Sequence, residues 1–169
     1  MPIPELREKD VLVKVSACGV CGSDIPRVLE TGTYHFPTIP GHEFGGTIAE
    51  AGSGVSKELC GKRVAVIPLI PCKTCKSCET GQYAQCEHYD FLGSRNDGGF
   101  AEYVINSVKT LCHVGDNVTD EEATLIVTAG TAMYGLDTLG GLFAGQSLVV
   151  TGPGPIGLMA VAVAKTLGA

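Results

Sequence analysis

This chain has little that would suit it to nucleic acid or to a membrane. Its 12 basic residues are outnumbered by 18 acidic ones, for a formal charge of -6, so no basic patch stands ready for a polyphosphate or an anionic bilayer. The amino terminus, MPIPELREKD, is charged and has no apolar core, which excludes a secretory signal and makes a reducing, cytoplasmic address the default. Long apolar runs are missing too. The most apolar region, Leu139 to Ala169, is interrupted by Gly145, Gly152, Pro153, Gly154, Pro155 and Gly157, so it reads as strand, turn and helix rather than as a membrane span. There is no internal repeat and no low-complexity tract, and 169 residues suffice for one domain of ordinary size, or for one domain and part of another.

Cysteine, in contrast, is plentiful. Of eight, Cys72, Cys75, Cys78 and Cys86 form a C-x2-C-x2-C-x7-C array, a spacing with which a short lobe can wrap one tetrahedral Zn²⁺ in four thiolates. Four thiolates close the coordination shell and leave no position for water or substrate, so such a site is structural. The surrounding segment is poor in core-forming residues, and metal binding would replace a hydrophobic core there. Two disulfides in a secreted protein are the alternative reading of the same cysteines. Cys18, Cys21, Cys60 and Cys112 lie in apolar or glycine-rich surroundings. Cys18 reads as a small core residue although it makes a C-x2-C with Cys21.

The first two thirds of the chain alternate like strands. Val11, Val13 and Val15 share one face, and similar runs occur at Gly45 to Ala51, Arg63 to Ile67 and Phe100 to Ile105, separated by Gly and Pro clusters. From about Asp120 the pattern turns helical, with Asp120, Glu121 and Glu122 placed to favour a helix dipole. A strand at Ser147 to Thr151 and a helix at Ile156 to Leu167 are expected next. Between them Gly152-Pro-Gly154-Pro155-Ile156-Gly157 makes a G-x-G-x-x-G turn in the strand-to-helix setting that dinucleotide binding requires. Gly152 would form the turn, Gly154 would admit the pyrophosphate, Gly157 would let helix and strand approach, and the helix amino terminus would offer N–H groups. A purely structural Gly/Pro turn is the alternative. The acidic residue that would choose NAD or NADP is expected on a following strand, past Ala169.

Near the amino end stand Cys21-Gly-Ser23-Asp24 and Gly41-His42-Glu43. A thiol and an imidazole are zinc donors of open sites, and a carboxylate beside them completes the shell or supports it. A core thiol and a satisfied imidazole remain the plain alternative.

These segments together resemble the zinc-dependent medium-chain alcohol and polyol dehydrogenases. Gly41-His42-Glu43-x-x-Gly46-x5-Gly52-x2-Val55 is similar to that family's zinc signature, Cys21 to Asp24 to its first-ligand segment, and the four-cysteine array to its structural zinc lobe. The run Tyr89 to Tyr103 looks most like the sorbitol-type and polyol-phosphate members. The resemblance implies a mixed β and α/β fold: a GroES-like β-barrel catalytic domain over residues 1–122, shortened at its start and lacking its carboxy-terminal return, then the start of an NAD(P)-binding Rossmann domain over 123–169. It implies a catalytic zinc held by Cys21, His42 and Glu43, with Asp24 fixing the His42 tautomer and Ser23 binding the substrate hydroxyl. It also implies NAD or NADP on Gly152, Gly154, Pro155, Ile156 and Gly157, a small alcohol or polyol as substrate, and a homo-oligomeric whole enzyme. Ser23 and Asp24 could equally be ordinary turn residues.

Two departures stand against the pattern. Relatives place a Glu or a Cys after Leu125-Ile126, where this chain has Val127 and Thr128, neither a strong zinc donor. Pro26 replaces a relay His, which leaves Ser23 and water, or His35, for the proton path. The chain is expected to be a piece of such an enzyme, inactive alone. The competing expectation is a non-catalytic, zinc-stabilised β-barrel module. Arg27 and Arg95 are candidate phosphate contacts.

Overall fold

A computed structural model describes Ile3 and residues 5–169. Strand alternation produces an antiparallel sheet of five strands in the order β6-β1-β2-β3-β7. These are β1 (Asp10–Gly19), β2 (Glu43–Ala51), β3 (Arg63–Val66), β6 (Tyr103–Ser107) and β7 (Leu111–His113). A second, two-stranded sheet joins β4 (Leu69–Ile70) to β5 (Asp90–Phe91). The four strand runs expected in the first two thirds of the chain are β1, β2, β3 and β6; β7 is not among them, and β6 and β7 form the two edges of the sheet.

Register explains the core. Val13 pairs with Ile48 on one side and Val104 on the other, and Val11 faces Ala51. With Phe44, Val64 and Val66 these side chains are all but sealed from solvent, and Val55 and Leu92 complete the cluster. Leu12, on the opposite face of β1, is buried as well. Helix α3 (Asp120–Thr124) packs on β1 and β2. The Cβ of Ala123 lies so close to Gly45 that a β-carbon there would stand 3.3 Å from it. Helix α3 starts on a reciprocal cap: the Glu122 carboxylate accepts from the Thr119 N–H (2.8 Å), and Thr119 Oγ1 accepts from the Glu122 N–H (3.1 Å). The acidic first turn expected from the sequence therefore doubles as a capping box.

The starts of two expected strands shift for identifiable reasons. Strand β6 begins at Tyr103 rather than Phe100, because the Phe100 N–H is committed to Pro40 O (3.0 Å) in the loop before β2. Strand β2 begins at Glu43, since Gly19 and Glu43 extend the β1 pairing.

The chain divides into two compact units, the first ending at Thr124 and the second running Leu125–Ala169. In the second unit α4 (Ile126–Thr138) packs on α5 (Pro155–Thr166). Thr128, Ala132 and Leu136, spaced by four, form the buried side of α4. The strand expected at Ser147 to Thr151 does not form. A strand exists only through hydrogen bonds to a neighbour, and among the described residues of this unit there is no other strand to supply them. Val149 is accordingly 86% exposed. No helix of the described residues is long and apolar enough to cross a membrane.

Candidate metal centres and the glycine turn

Antiparallel pairing builds the first centre. Because Cys18 lies opposite Phe44 and Gly19 opposite Glu43, the residues just after β1 and just before β2 meet at one end of the sheet. Cys21 follows β1, His42 precedes β2, and ligand atoms of Cys21, His42 and Glu43 lie within 4.8 Å of one another. The loop carrying His42 is held by backbone bonds: Gly98 N–H to Ile39 O (2.7 Å), Gly99 N–H to Gly41 O (2.8 Å), and Phe100 N–H to Pro40 O. Asp97 Oδ1 adds a bond from the Ile39 N–H (2.9 Å). Gly41 has φ 93°, and a β-carbon there would meet the Cys18 sulfur at 2.8 Å, so only glycine fits beside His42.

Asp24 is the buried carboxylate of the centre, 2% exposed. Its Oδ2 accepts from the Cys21 N–H (3.0 Å), and its own N–H donates to Cys21 O (2.9 Å), which fixes the turn entering α1 (Asp24–Leu29). Its Oδ1 stands 3.4 Å from both His42 Nδ1 and Arg27 Nη1. The approach to Nδ1 is poorly aligned, and that nitrogen is buried without a hydrogen-bond partner. Phe91 closes another side of the imidazole, ring centroids 5.5 Å apart. Ser23 is exposed, and its Oγ accepts from Arg27 Nη1 (3.0 Å). Cys18 is half-buried against the core. Burial pushes its thiol up to about 11, with the charges of Asp24 and Glu43 adding to the effect, so it stays protonated beside Cys21.

Arg27 and Phe91 flank the centre in ways the sequence did not assign: one braces Ser23 and Asp24, the other packs on His42. The i, i+4 spacing of Ser23 and Arg27 at a helix start could have signalled the first contact. Nothing local links Phe91 to His42. His35, considered as a proton relay, is held instead by Arg95 O (Nε2, 2.9 Å) and Thr38 Oγ1 (Nδ1, 3.1 Å).

The second centre is the cysteine lobe, which contains the short helix α2 (Lys76–Glu79). The sulfurs of Cys72 and Cys78 are 3.9 Å apart, as are those of Cys75 and Cys86. Four sulfurs at Zn–S distances of about 2.3 Å would be roughly 3.8 Å apart along each tetrahedral edge. The spacing therefore suits a bound Zn²⁺, and it is far beyond a disulfide bond, so the two-disulfide alternative fails. All eight cysteines are free thiols. Donors already aim at these sulfurs: Thr74 Oγ1–H and N–H reach Cys72 Sγ (3.5 Å each), and the Cys72 N–H reaches Cys86 Sγ (3.3 Å). Thr74 lowers the Cys72 thiol to about 5, backbone bonds from Glu87 and Cys78 lower Cys75, and burial drives Cys78 up to about 12. Thiolates crowded this closely need a cation among them.

In the second unit Gly152 has φ 90°, and a β-carbon on Gly157 would stand 2.1 Å from Gly152 O. A β-carbon on Gly154 would meet nothing within 4 Å. The turn thus needs glycine at 152 and 157 for its own geometry, whereas at 154 it leaves open space at the start of α5, with Pro155 at the first helical position. Ile156 is exposed beside it. Val127 and Thr128 occupy the first turn of α4, with Thr128 buried.

An antiparallel sheet carries a Cys-His-Glu cluster at one end and a four-thiol lobe on a neighbouring segment, two groups of side chains that could each hold a metal ion. The chain belongs to the alcohol dehydrogenase GroES-like domain family, which matches residues 7–116. It is 40% identical over 168 residues to galactitol 1-phosphate 5-dehydrogenase of Escherichia coli K12, covering 99% of this chain and 48% of that protein. It is 37% identical to sorbitol dehydrogenase of Bacillus subtilis, covering 100% of this chain and 49% of that one. Among solved structures, galactitol-1-phosphate dehydrogenase from Escherichia coli superposes with a TM-score of 0.92 at 39% identity, over 100% of this chain and 49% of that chain. A zinc-binding dehydrogenase from Sinorhizobium meliloti bound to NADP gives 0.92 at 35%, again over 100% and 49%. The chain spans about half the length of the curated relatives it matches.

Proposed function

We propose that this chain is the metal-binding half of a zinc-dependent, NAD(P)-linked dehydrogenase that converts a polyol, a polyol phosphate or a secondary alcohol to the carbonyl compound. The observation that carries this reading is the gathering of Cys21, His42 and Glu43 at one sheet end with Asp24 buried behind the imidazole. A thiol, an imidazole and a carboxylate make a borderline-soft donor set suited to Zn²⁺, and three protein donors leave room for a substrate oxygen. Zinc held there would supply Lewis acidity to an alcohol oxygen, while a nicotinamide would accept the hydride.

The residues of the chain prepare for that chemistry. Asp24 Oδ1 faces the Nδ1 edge of His42, which favours the tautomer that carries its proton there and leaves the Nε2 lone pair for a metal. Ser23 Oγ accepts from Arg27 and retains its own O–H, so it can donate to one oxygen while held in place by another group. Cys18 packs against the core and is not part of the Cys21, His42 and Glu43 cluster. The open space at Gly154, with Gly152, Pro155, Ile156 and Gly157 shaping the helix start, supports a pyrophosphate of NAD or NADP at that turn. Cys72, Cys75, Cys78 and Cys86 would hold a second, structural zinc.

A zinc-stabilised module without catalysis is the second reading, favoured by Val127 and Thr128, which offer no strong third-segment donor. The chain joined to the carboxy-terminal half of a sorbitol dehydrogenase separates the two. Two zinc ions per chain, as the two clusters imply, and reduction of NAD or NADP with a polyol, both lost in part in Cys21→Ala, are the expected result. A single zinc and no nicotinamide reduction would favour the module.

A further inference from the structure

Arg95 lies on the turn that follows Phe91. Its N–H donates to Phe91 O (3.0 Å), so it stands one tight turn from the ring that packs on His42. Its carbonyl accepts from His35 Nε2 (2.9 Å), on the same loop that carries His42. The guanidinium carbon lies over the Tyr34 ring at 4.0 Å and over the Tyr89 ring at 4.7 Å. Aromatic faces occupied in this way hold a guanidinium by its plane and leave its in-plane N–H donors for a ligand. The Arg95 Nε is buried and has no hydrogen-bond partner, and among the described residues no carboxylate forms an ion pair with this side chain. A side-chain hydrogen bond with Tyr89, with a smaller contribution from Tyr34, pushes the guanidinium further up, and Nε is the donor left without a partner. The other candidate, Arg27, differs: its charge is already shared between Asp24 and Ser23.

A permanent cation stacked on two phenol rings, with an unpaired buried donor and no internal counter-charge, is arranged to receive an oxyanion. Phosphate monoesters fit because three acceptor oxygens match the planar fork of donors. We propose that Arg95, framed by Tyr34 and Tyr89, binds the phosphate of a polyol phosphate whose hydroxyl end reaches the Cys21, His42 and Glu43 centre. This rests on the dehydrogenase reading and narrows it from polyols in general to their phosphate esters.

The test uses the zinc-loaded chain with sorbitol 6-phosphate, sorbitol and inorganic phosphate as probes, binding being followed by calorimetry and by phosphorus NMR line width. Sorbitol 6-phosphate is expected to bind about tenfold or more tightly than sorbitol, with the preference gone in Arg95→Gln, the loss expected of a charge-assisted contact. Tyr89→Phe, which keeps the ring, retains it. Inorganic phosphate is expected to bind more weakly than the ester and to be displaced by it. Zinc content and circular dichroism of Arg95→Gln establish that the variant is folded. A phosphate preference that is absent, or that survives in folded Arg95→Gln, overturns the proposal, as does inorganic phosphate binding as tightly as the ester. These outcomes are separate from failure of the dehydrogenase reading, which would show as loss of the zinc ascribed to Cys21, His42 and Glu43.

Discussion

Asp24 Oδ1 stands 3.4 Å from His42 Nδ1, and both side chains are nearly sealed from water. A buried carboxylate facing an unpaired ring nitrogen biases the imidazole toward one tautomer and orientation. Asp24→Asn removes the charge while keeping the bond from the Cys21 N–H within reach of the side-chain oxygen. Zinc at the Cys21, His42 and Glu43 centre is expected to weaken by about 10–100-fold, the range for partners that orient a metal ligand. Competition with a chromogenic chelator measures this, and the cysteine-lobe zinc serves as internal reference because it should not change.

The cysteine lobe sets a pH dependence of metal uptake. With its thiol lowered to about 5, Cys72 is already a thiolate at neutral pH, whereas Cys78, raised to about 12, still carries its proton. Zinc must displace that proton, so affinity rises with pH through the neutral range and falls toward pH 5 as Cys72 also protonates. Proton release on loading at neutral pH, read in a weakly buffered titration, should be smaller than four independent thiols would give. Full release from all four would show that the Thr74 contacts do not hold Cys72 as a thiolate.

Gly154 and Gly157 should respond differently to alanine. Gly157→Ala places a β-carbon 2.1 Å from Gly152 O and is expected to disrupt the start of α5, visible as lost helical signal. Gly154→Ala meets no protein atom, so helicity should be kept while NADH binding declines. Saturation-transfer NMR with NADH reads the second effect. Equal NADH binding in Gly154→Ala and the parent would mean that the open space is not where a pyrophosphate approaches.

Core and surface should separate cleanly. Ile48 is buried at 1% exposure between Val13 and the rest of the sheet cluster. Ile48→Ala is expected to cost about 2–5 kcal/mol, by lost transfer energy and the cavity left behind. Thr119→Ala should cost about 0.5–2 kcal/mol through the capping box of α3. Val149→Ala, on an exposed residue outside any strand, should stay within about 0.5 kcal/mol. Urea denaturation monitored by tyrosine fluorescence ranks the three.

Much of this was legible in the sequence, where the relevant physics is local. The thiol spacing of Cys72, Cys75, Cys78 and Cys86 brings four sulfurs together because short segments have few ways to fold around an ion. Alternation at Val11 and Val13 announced a half-buried strand, and the acidic residues after Thr119 announced a helix start, because both signals act within a turn or a strand length. The glycine turn was readable for the same reason: positive φ at Gly152 and close approach at Gly157 are properties of six consecutive residues.

What tertiary structure decided concerns partners distant along the chain. Ser147 to Thr151 has a strand composition, yet without a neighbouring strand in its unit the backbone forms no ladder. Phe100 carries the strand pattern, yet its N–H serves Pro40 and holds the His42 loop. Register between β1 and β2, rather than any motif, brings Cys21 to His42, while β5 places Phe91 on His42 and the turn after it places Arg95 on Tyr34. Composition and spacing determine which groups can do chemistry. Long-range pairing determines which of them meet, because backbone hydrogen bonds and buried apolar surface are satisfied only when separated segments come together.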